Sequence, residues 1–154
     1  MADPASRPGL FVDTAGWMAM ADAADPGHEA SRQARDAHLR AGGVLVSTDY
    51  VVDETLTLIR TRLGLRAAER WWAQVDASSR VRWERIGAPR ARKAREWFFE
   101  WRDEAFSLTD CTSFVVMKEL GLTRALTTDH RFSQVGFETV PRPPGRHGHY
   151  SIGE

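Results

Sequence analysis

Hydrophobic and polar positions along the chain alternate between short apolar runs and longer amphipathic segments. The short runs are rich in Val, Leu and Phe and have the length of buried strands, whereas the longer segments carry apolar residues at helical spacing. Glycines such as Gly64 and Gly121 separate several of these segments. The pattern predicts strands at residues 10–12, 44–46, 81–86, 124–127 and 137–140, and helices at residues 14–21, 27–41, 49–63, 65–77, 89–102 and 110–120.

Strands that alternate with helices are typical of a parallel sheet with helices on both faces. We therefore expect an α/β fold, a three-layer α/β/α sandwich with a central, mainly parallel sheet. A length of 154 residues suits one such domain. We place the domain at residues 1–140 and expect residues 141–154, which are rich in Pro, Gly, His and Arg, to form a flexible C-terminal tail.

Composition narrows the class of protein. The chain has 42% hydrophobic and 27% charged residues, which is usual for a globular protein. No apolar run approaches the ~20 residues of a membrane span, and no secretory leader is expected. Because Cys111 is the only cysteine, a disulfide framework and a thiolate zinc site are excluded. A cytoplasmic enzyme or binding protein remains.

Two aspartates directly follow predicted strands. Asp13 comes after the first strand, and Asp129 comes after the strand at residues 124–127. Because the carboxyl ends of parallel strands meet at one edge of a sheet, both side chains are expected at the edge where ligands bind.

Two further acids lie on helices. Asp110 is in the first turn of a helix, in line with Phe114 at helical spacing, so it points toward the apolar side. In the helix at residues 49–63, the centre of the apolar stripe is predicted at Val52, Leu56, Ile59 and Leu63. Glu54 lies at the border of this stripe and Asp53 lies on its polar side. Glu54 is the better inward candidate, and Asp53 remains a competitor.

Each acid taken singly has a structural explanation, because aspartates often cap helices or end strands. Together, Asp13, Glu54, Asp110 and Asp129 form a set of oxygen donors of the kind that Mg²⁺ or Mn²⁺ prefers. Such a site activates water toward a phosphodiester and requires no covalent nucleophile.

Basic and aromatic residues allow two interpretations. Of the 21 basic residues 19 are Arg, with clusters at residues 60–70 and 80–95. These clusters fit a nucleic-acid track, or equally an ordinary solvated surface. The pairs Trp71 and Trp72, and Trp97 and Trp101, fit the core, and one pair also fits a protein interface.

Four segments resemble the motifs of PIN-domain ribonucleases, in particular the VapC toxins of type II toxin–antitoxin systems. They are LFVDT at residues 10–14, TDYVVDETLT at 48–57, SLTDCTSF at 107–114 and LTTDHRF at 126–132, and the likeness covers roughly residues 9–140.

The resemblance implies a Mg²⁺- or Mn²⁺-dependent endoribonuclease that forms a homodimer and is inhibited by a small cognate antitoxin. Carried over to this chain, it makes Asp13, Glu54, Asp110 and Asp129 the metal ligands, with Thr14 and Ser113 as supporting donors. The chain departs from the family at one position: where many relatives carry a further acid two residues after the fourth, it has Arg131.

Other classes of protein fit less well. An aspartate-nucleophile phosphotransferase would need an acid two residues after Asp13, where the chain has Ala15. A receiver domain explains an aspartate so close to the start poorly. A catalytically silent PIN-like module that binds RNA or an antitoxin is the alternative that remains, and a metal-dependent cleavage assay discriminates between the two.

Overall fold

A computed structural model describes residues 6–143 and has a five-stranded parallel sheet at its centre. The strand order is β3-β2-β1-β4-β5, and all four pairings are parallel. The predicted three-layer α/β/α class is confirmed. The elements are β1 Gly9–Val12, α1 Thr14–Ala21, α2 His28–Arg40, β2 Val44–Thr48, α3 Asp49–Leu63, α4 Leu65–Ala77, β3 Val81–Glu84, α5 Ala88–Glu100, α6 Leu108–Leu120, β4 Arg124–Leu126, α7 Arg131–Gln134 and β5 Glu138–Val140.

Strand β1 lies in the middle of the sheet and forms the centre of the core. Leu10, Phe11 and Val12 are completely buried. Phe11 is in register with Val46 of β2 on one side and Ala125 of β4 on the other. A strand with neighbours on both edges and helices on both faces is apolar throughout, as its sequence indicated.

Helix α1 packs closely against the end of β4. A Cβ atom on Gly16 would come within 2.2 Å of the carbonyl oxygen of Leu126. Glycine is therefore required where the first turn of α1 crosses the strand. This close approach holds the start of α1 beside the carboxyl ends of β1 and β4.

All six predicted helices are present, and their ends differ from the predicted ones by at most two residues. Two elements differ more clearly. The predicted strand at residues 81–86 ends at Glu84, and the short helix α7 was not predicted. Helix α7 is only four residues long, so it has no amphipathic repeat that a sequence pattern could reveal.

Many of the aromatic residues belong to the core or to one surface cleft. Trp17, Trp71, Trp72 and Trp83 form one cluster of ring contacts, which fills the space between α1, α4 and β3. A second group lines an open cleft of about 520 Å³, comprising Trp97, Trp101, Phe106, Phe114 and Phe137.

Two of the clustered arginines, Arg80 and Arg90, hold secondary structure elements together. Arg90 of α5 forms ion pairs with Glu84 of β3 at 3.0 Å and with Glu119 of α6 at 2.7 Å. Arg80 donates to the carbonyl oxygens of Leu39 and Gly43. These contacts give Arg80 and Arg90 a role in holding the fold together.

None of the helices between residues 6 and 143 combines the length and hydropathy of a membrane span. The predicted tail lies mostly outside the described residues, from residue 144 onward.

Candidate active site

Three of the four acids named from the sequence meet at the carboxyl edge of the sheet. Asp13 directly follows β1, Asp129 follows β4, and Asp110 lies in the first turn of α6. The negative charges of Asp129 and Asp110 both raise the pKa of Asp13. The hydroxyl of Thr127 also joins Asp13 to the backbone of Asp129, and Arg131 contacts both Asp129 and Asp110. The three carboxylates therefore lie close together, and we call the site that they form the pocket.

Asp13 lies at the bottom of this pocket and is 5% exposed. Its Oδ1 accepts a hydrogen bond of 2.8 Å from the backbone of Gly16, which caps α1. Its Oδ2 accepts one of 2.9 Å from the hydroxyl of Thr127. Burial raises the pKa of Asp13 from 3.8 to about 7, although these two hydrogen bonds act in the opposite direction.

Thr127 links two of the acids, and sequence reasoning did not identify it. Its hydroxyl donates to Asp13 and accepts from the backbone N–H of Asp129 at 3.0 Å. Thr127 is buried and lies directly after β4. The signal in the sequence was a hydroxyl residue two positions before a strand-end aspartate, which is common in turns and therefore weak.

Asp110 is held in place by the start of its own helix. Its carboxylate accepts from the backbone N–H of Ser107, and its backbone N–H donates to the Ser107 hydroxyl, both at 2.9 Å. This capping box fixes the carboxylate at the N-terminus of α6. Burial raises the pKa of Asp110, while the bond from Ser107 and the charge of Arg131 offset part of the effect.

Two basic residues lie beside these acids. His130 Nδ1 is 3.7 Å from Oδ1 of Asp129, and Arg131 makes the shorter contacts. Its Nη1 lies 3.1 Å from Oδ2 of Asp129 and 3.6 Å from Oδ2 of Asp110. Its backbone N–H also donates to Oδ1 of Asp129 at 2.9 Å. One guanidinium thus contacts two of the three carboxylates.

Glu54 is not brought into this cluster. The buried residues of α3 are Val51, Val52, Thr55 and Ile59, and Glu54 is exposed. Within residues 6–143, the Glu54 carboxylate has no hydrogen bond or ion pair. The prediction that Leu63 belongs to the buried stripe was wrong, because Leu63 is 38% exposed.

The competitor Asp53 is exposed as well. At 100° per residue, Glu54 lies roughly a third of a turn from the centre of the observed stripe and Asp53 lies further round. Neither residue is shown to be a ligand, and Glu54 remains the nearer of the two to the buried face.

The predicted supporting donors are both buried. Ser113 lies inside α6, and the hydroxyl of Thr14 has no hydrogen-bond partner among residues 6–143. Cys111 is buried, and burial followed by the charge of Asp110 raises the pKa of its thiol to about 11. A thiol with that pKa is a poor nucleophile at neutral pH.

The donors of the pocket match a hard divalent cation in their chemistry. The carboxylates of Asp13, Asp110 and Asp129 and the hydroxyl of Thr127 are all oxygen donors. A buried carboxylate beside two others requires a cation for its ionised form to be stable. Between residues 6 and 143, however, no three His, Cys, Asp or Glu side chains are already arranged to hold a metal. The guanidinium of Arg131 provides the positive charge instead.

Comparison with known proteins identifies the family. The model of the PIN domain matches residues 10–138. The chain belongs to the PIN-domain family. The pocket at the carboxyl edge of the sheet is the candidate active site of this PIN domain. Its three acids lie in the segments at residues 10–14, 107–114 and 126–132, whose sequences resemble PIN-domain motifs.

Two curated PIN-domain relatives come from Mycobacterium tuberculosis (strain ATCC 25618 / H37Rv). The chain is 34% identical over 131 residues to the 23S rRNA-specific endonuclease VapC20, covering 85% of this chain and 97% of the relative. It is 27% identical over 124 residues to Ribonuclease VapC26, covering 79% and 87%. The crystal structure of VapC20, described as a Sarcin-Ricin loop cleaving toxin, superimposes with a TM-score of 0.74 at 34% identity, over 83% of this chain and 95% of that one.

Proposed function

We propose that this PIN domain is a Mg²⁺- or Mn²⁺-dependent endoribonuclease that hydrolyses RNA phosphodiester bonds, and that it is the toxin of a toxin–antitoxin pair. The observation that carries the proposal is that Asp13, Asp110 and Asp129 lie together at the carboxyl edge of the sheet, joined through Thr127 and Arg131. The names of its relatives, an rRNA endonuclease and a ribonuclease, support the same chemistry.

Asp13, Asp110 and Asp129 would hold the metal ion, with Glu54 as the fourth acid reaching in from α3. When bound, the ion supplies a water of lowered pKa and stabilises negative charge on the phosphodiester oxygens. This assignment gives the buried carboxylate of Asp13 a function that helix capping alone does not require. A neutral asparagine would cap α1 equally well.

Hydrogen bonds from neighbouring residues fix the orientation of two of the carboxylates. The hydroxyl of Thr127 fixes Oδ2 of Asp13, and the backbone of Gly16 fixes Oδ1. The capping box of Ser107 fixes the carboxylate of Asp110. These bonds restrain the carboxylates of Asp13 and Asp110 and would orient them toward a bound cation.

The proposed substrate is 23S rRNA, since the chain aligns with nearly the whole length of the 23S rRNA-specific relative. A small cognate antitoxin is the proposed inhibitor, and the cytoplasm, where ribosomes lie, is the proposed location. We also propose a homodimer. The exposed Phe98 and Phe99 on α5, next to the aromatic cleft, support an interface on that face.

A cleavage assay tests the proposal against the catalytically silent alternative. Purified protein is treated with EDTA and incubated with an rRNA hairpin or a tRNA, with and without added Mg²⁺ or Mn²⁺. We expect cleavage of the hairpin only when a metal is present. Binding of the hairpin without cleavage at any metal concentration would support the silent RNA-binding module and refute the nuclease.

A further inference from the structure

Arg131 is held between two acids of the pocket by contacts that leave its side chain able to move. Only Nη1 contacts the carboxylates, at 3.1 Å from Asp129 and 3.6 Å from Asp110. The side chain is 37% exposed, and within residues 6–143 it has no other hydrogen-bond or ion-pair partner. The contacts therefore hold its charge in the pocket without burying the guanidinium.

The backbone of Arg131 is anchored independently of its side chain. Its N–H donates to Oδ1 of Asp129 at 2.9 Å, and Arg131 is the first residue of α7. A rotation of the side chain can therefore remove the guanidinium from the carboxylates while its Cα stays beside them. The positively charged side chain of Arg131 therefore stays attached beside the pocket in either position.

Charge balance explains why a cation is needed at this position. Asp13, Asp110 and Asp129 bring three carboxylates together, and Arg131 is the only basic residue that forms an ion pair with Asp110 within the described part of the chain. A divalent ion bound to the same oxygen atoms would repel a guanidinium placed 3–4 Å away from them. A metal ion and the guanidinium would therefore compete for Asp110 and Asp129.

We propose that Arg131 is a built-in counter-ion of the pocket, which a divalent metal displaces from Asp110 and Asp129, and that the released guanidinium then contacts an RNA phosphate. This inference rests on the proposed nuclease function and gives Arg131 a role in metal and RNA binding. The contact with RNA follows from the chemistry of the guanidinium, because it can donate two parallel hydrogen bonds to two oxygen atoms of one phosphate. Rotation of the Arg131 side chain would move its positive charge from the carboxylates toward RNA bound at the edge of the pocket.

Metal affinity tests the competition without any measurement of activity. The Kd of Mn²⁺ is measured by isothermal titration calorimetry on metal-free wild-type, Arg131→Gln and Arg131→Lys proteins. Removing the competing charge is expected to lower the Kd of Arg131→Gln at least tenfold, which corresponds to ~1.4 kcal/mol. Arg131→Lys keeps the charge, so its Kd should stay within about threefold of the wild-type value.

Arg124→Gln is the matched control, because Arg124 forms a surface ion pair with Glu138 and is exposed to a similar degree. Its Mn²⁺ affinity should equal that of the wild type. An Arg131→Gln protein that binds Mn²⁺ with unchanged or weaker affinity would overturn the proposal. Weaker binding would show that Arg131 orders the acids for the metal instead of competing with it.

RNA binding tests the second step. In an Asp13→Asn background, which prevents cleavage under the proposed function, the affinity for an rRNA hairpin is measured at a Mn²⁺ concentration that calorimetry shows to saturate that same variant. Both Arg131→Gln and Arg131→Lys should weaken binding, the first more strongly, because lysine keeps the charge but lacks the paired donors. Unchanged affinity in both variants would refute the phosphate contact.

The two proposals fail in distinguishable ways. If the wild type binds Mn²⁺ and cleaves RNA, but Arg131→Gln has wild-type metal affinity, only the role of Arg131 is wrong. If the wild type shows no binding of Mn²⁺ by calorimetry and no metal-dependent cleavage, the nuclease assignment fails as well.

Discussion

Asp13 caps helix α1 and is also a proposed metal ligand. The pH dependence of stability shows in which protonation state its carboxyl group is buried. Folding raises its pKa from 3.8 to about 7, so in the metal-free protein the folded state keeps a proton that the unfolded chain has released. The resulting stability is fully present below the unfolded pKa and is lost as pH rises through the folded pKa.

Asp13→Asn should remove this pH dependence, because asparagine has no proton to lose. We expect the metal-free variant to be more stable than the wild type at about pH 8, and the difference to shrink as pH falls toward 4. Urea unfolding across this range in the presence of EDTA measures it. Parallel stability profiles for the two proteins would show that Asp13 is ionised in the folded state at all these values.

Glu54 and Asp53 provide a matched pair on one exposed face of α3. If Glu54 is the fourth acid, Glu54→Gln should reduce the cleavage rate by about two orders of magnitude or more, the usual effect of removing a catalytic acid or base. Asp53→Asn should leave it within a few-fold of wild type. Steady-state rates on one RNA hairpin at saturating metal decide between them, and the reverse ranking would assign the ligand to Asp53.

Among the elements, those with clear chemical signals could be predicted from the sequence. The strand before Asp13 is a continuous apolar run, and the strand before Asp129 has Ala125 and Leu126 at its end. Helix α6 has Ser107 at its N-terminus and Gly121 after its last residue. These signals placed Asp13 and Asp129 at the carboxyl edge and Asp110 in the first turn of a helix.

The remaining features depend on tertiary contacts that no local pattern contains. The sequence of α3 is compatible with more than one choice of buried face. Contacts with the rest of the chain select Val51, Thr55 and Ile59 for burial and leave Leu63 exposed. Similarly, Arg131 was recognised only as a departure from the family, since its two carboxylate partners come from α6 and from the loop after β4.

Helix α5 offers a test of RNA binding, since it starts shortly after the carboxyl end of β3, at the edge of the sheet that carries the acids. Arg92 and Arg95 are exposed on this helix, and within residues 6–143 neither forms an ion pair. Replacing both by Gln should reduce the salt dependence of RNA binding, by roughly 0.7 log units per log unit of salt for each phosphate that the variant no longer binds.

The exposed Arg62 and Arg66, near the junction of α3 and α4, provide the control for this measurement. The double Gln variant at these positions should keep the wild-type slope. Binding is followed by fluorescence anisotropy with Asp13→Asn protein, so that the RNA stays intact. If only the control variant changes the slope, the RNA track lies at α3 and α4.

For the whole molecule, the exposed aromatic residues of α5 indicate how two copies could associate. Phe99 is 66% exposed and stacks edge-on against Phe98, which is 39% exposed. Phe99→Ser should shift a dimer toward monomer in sedimentation velocity at micromolar concentration, because it removes apolar area from the interface.

Leu65→Ser is the control, since Leu65 is 52% exposed on a different helix, α4. It should leave the sedimentation coefficient unchanged. A wild type that sediments as a monomer would contradict the homodimer, and dissociation by Leu65→Ser alone would move the interface to the face of α3 and α4.

The rate of RNA cleavage by Asp13→Asn tests the central claim, that the acids at the carboxyl edge form the hydrolytic site. The substitution keeps the side-chain volume and the cap of α1 but removes the charge of the most deeply buried acid. Asp22→Asn, at the other end of α1, is the matched control. At saturating Mg²⁺ and RNA we expect Asp13→Asn to lose about three orders of magnitude in rate and Asp22→Asn to match the wild type. A folded Asp13→Asn protein that cleaves RNA at a near-normal rate would contradict the assignment.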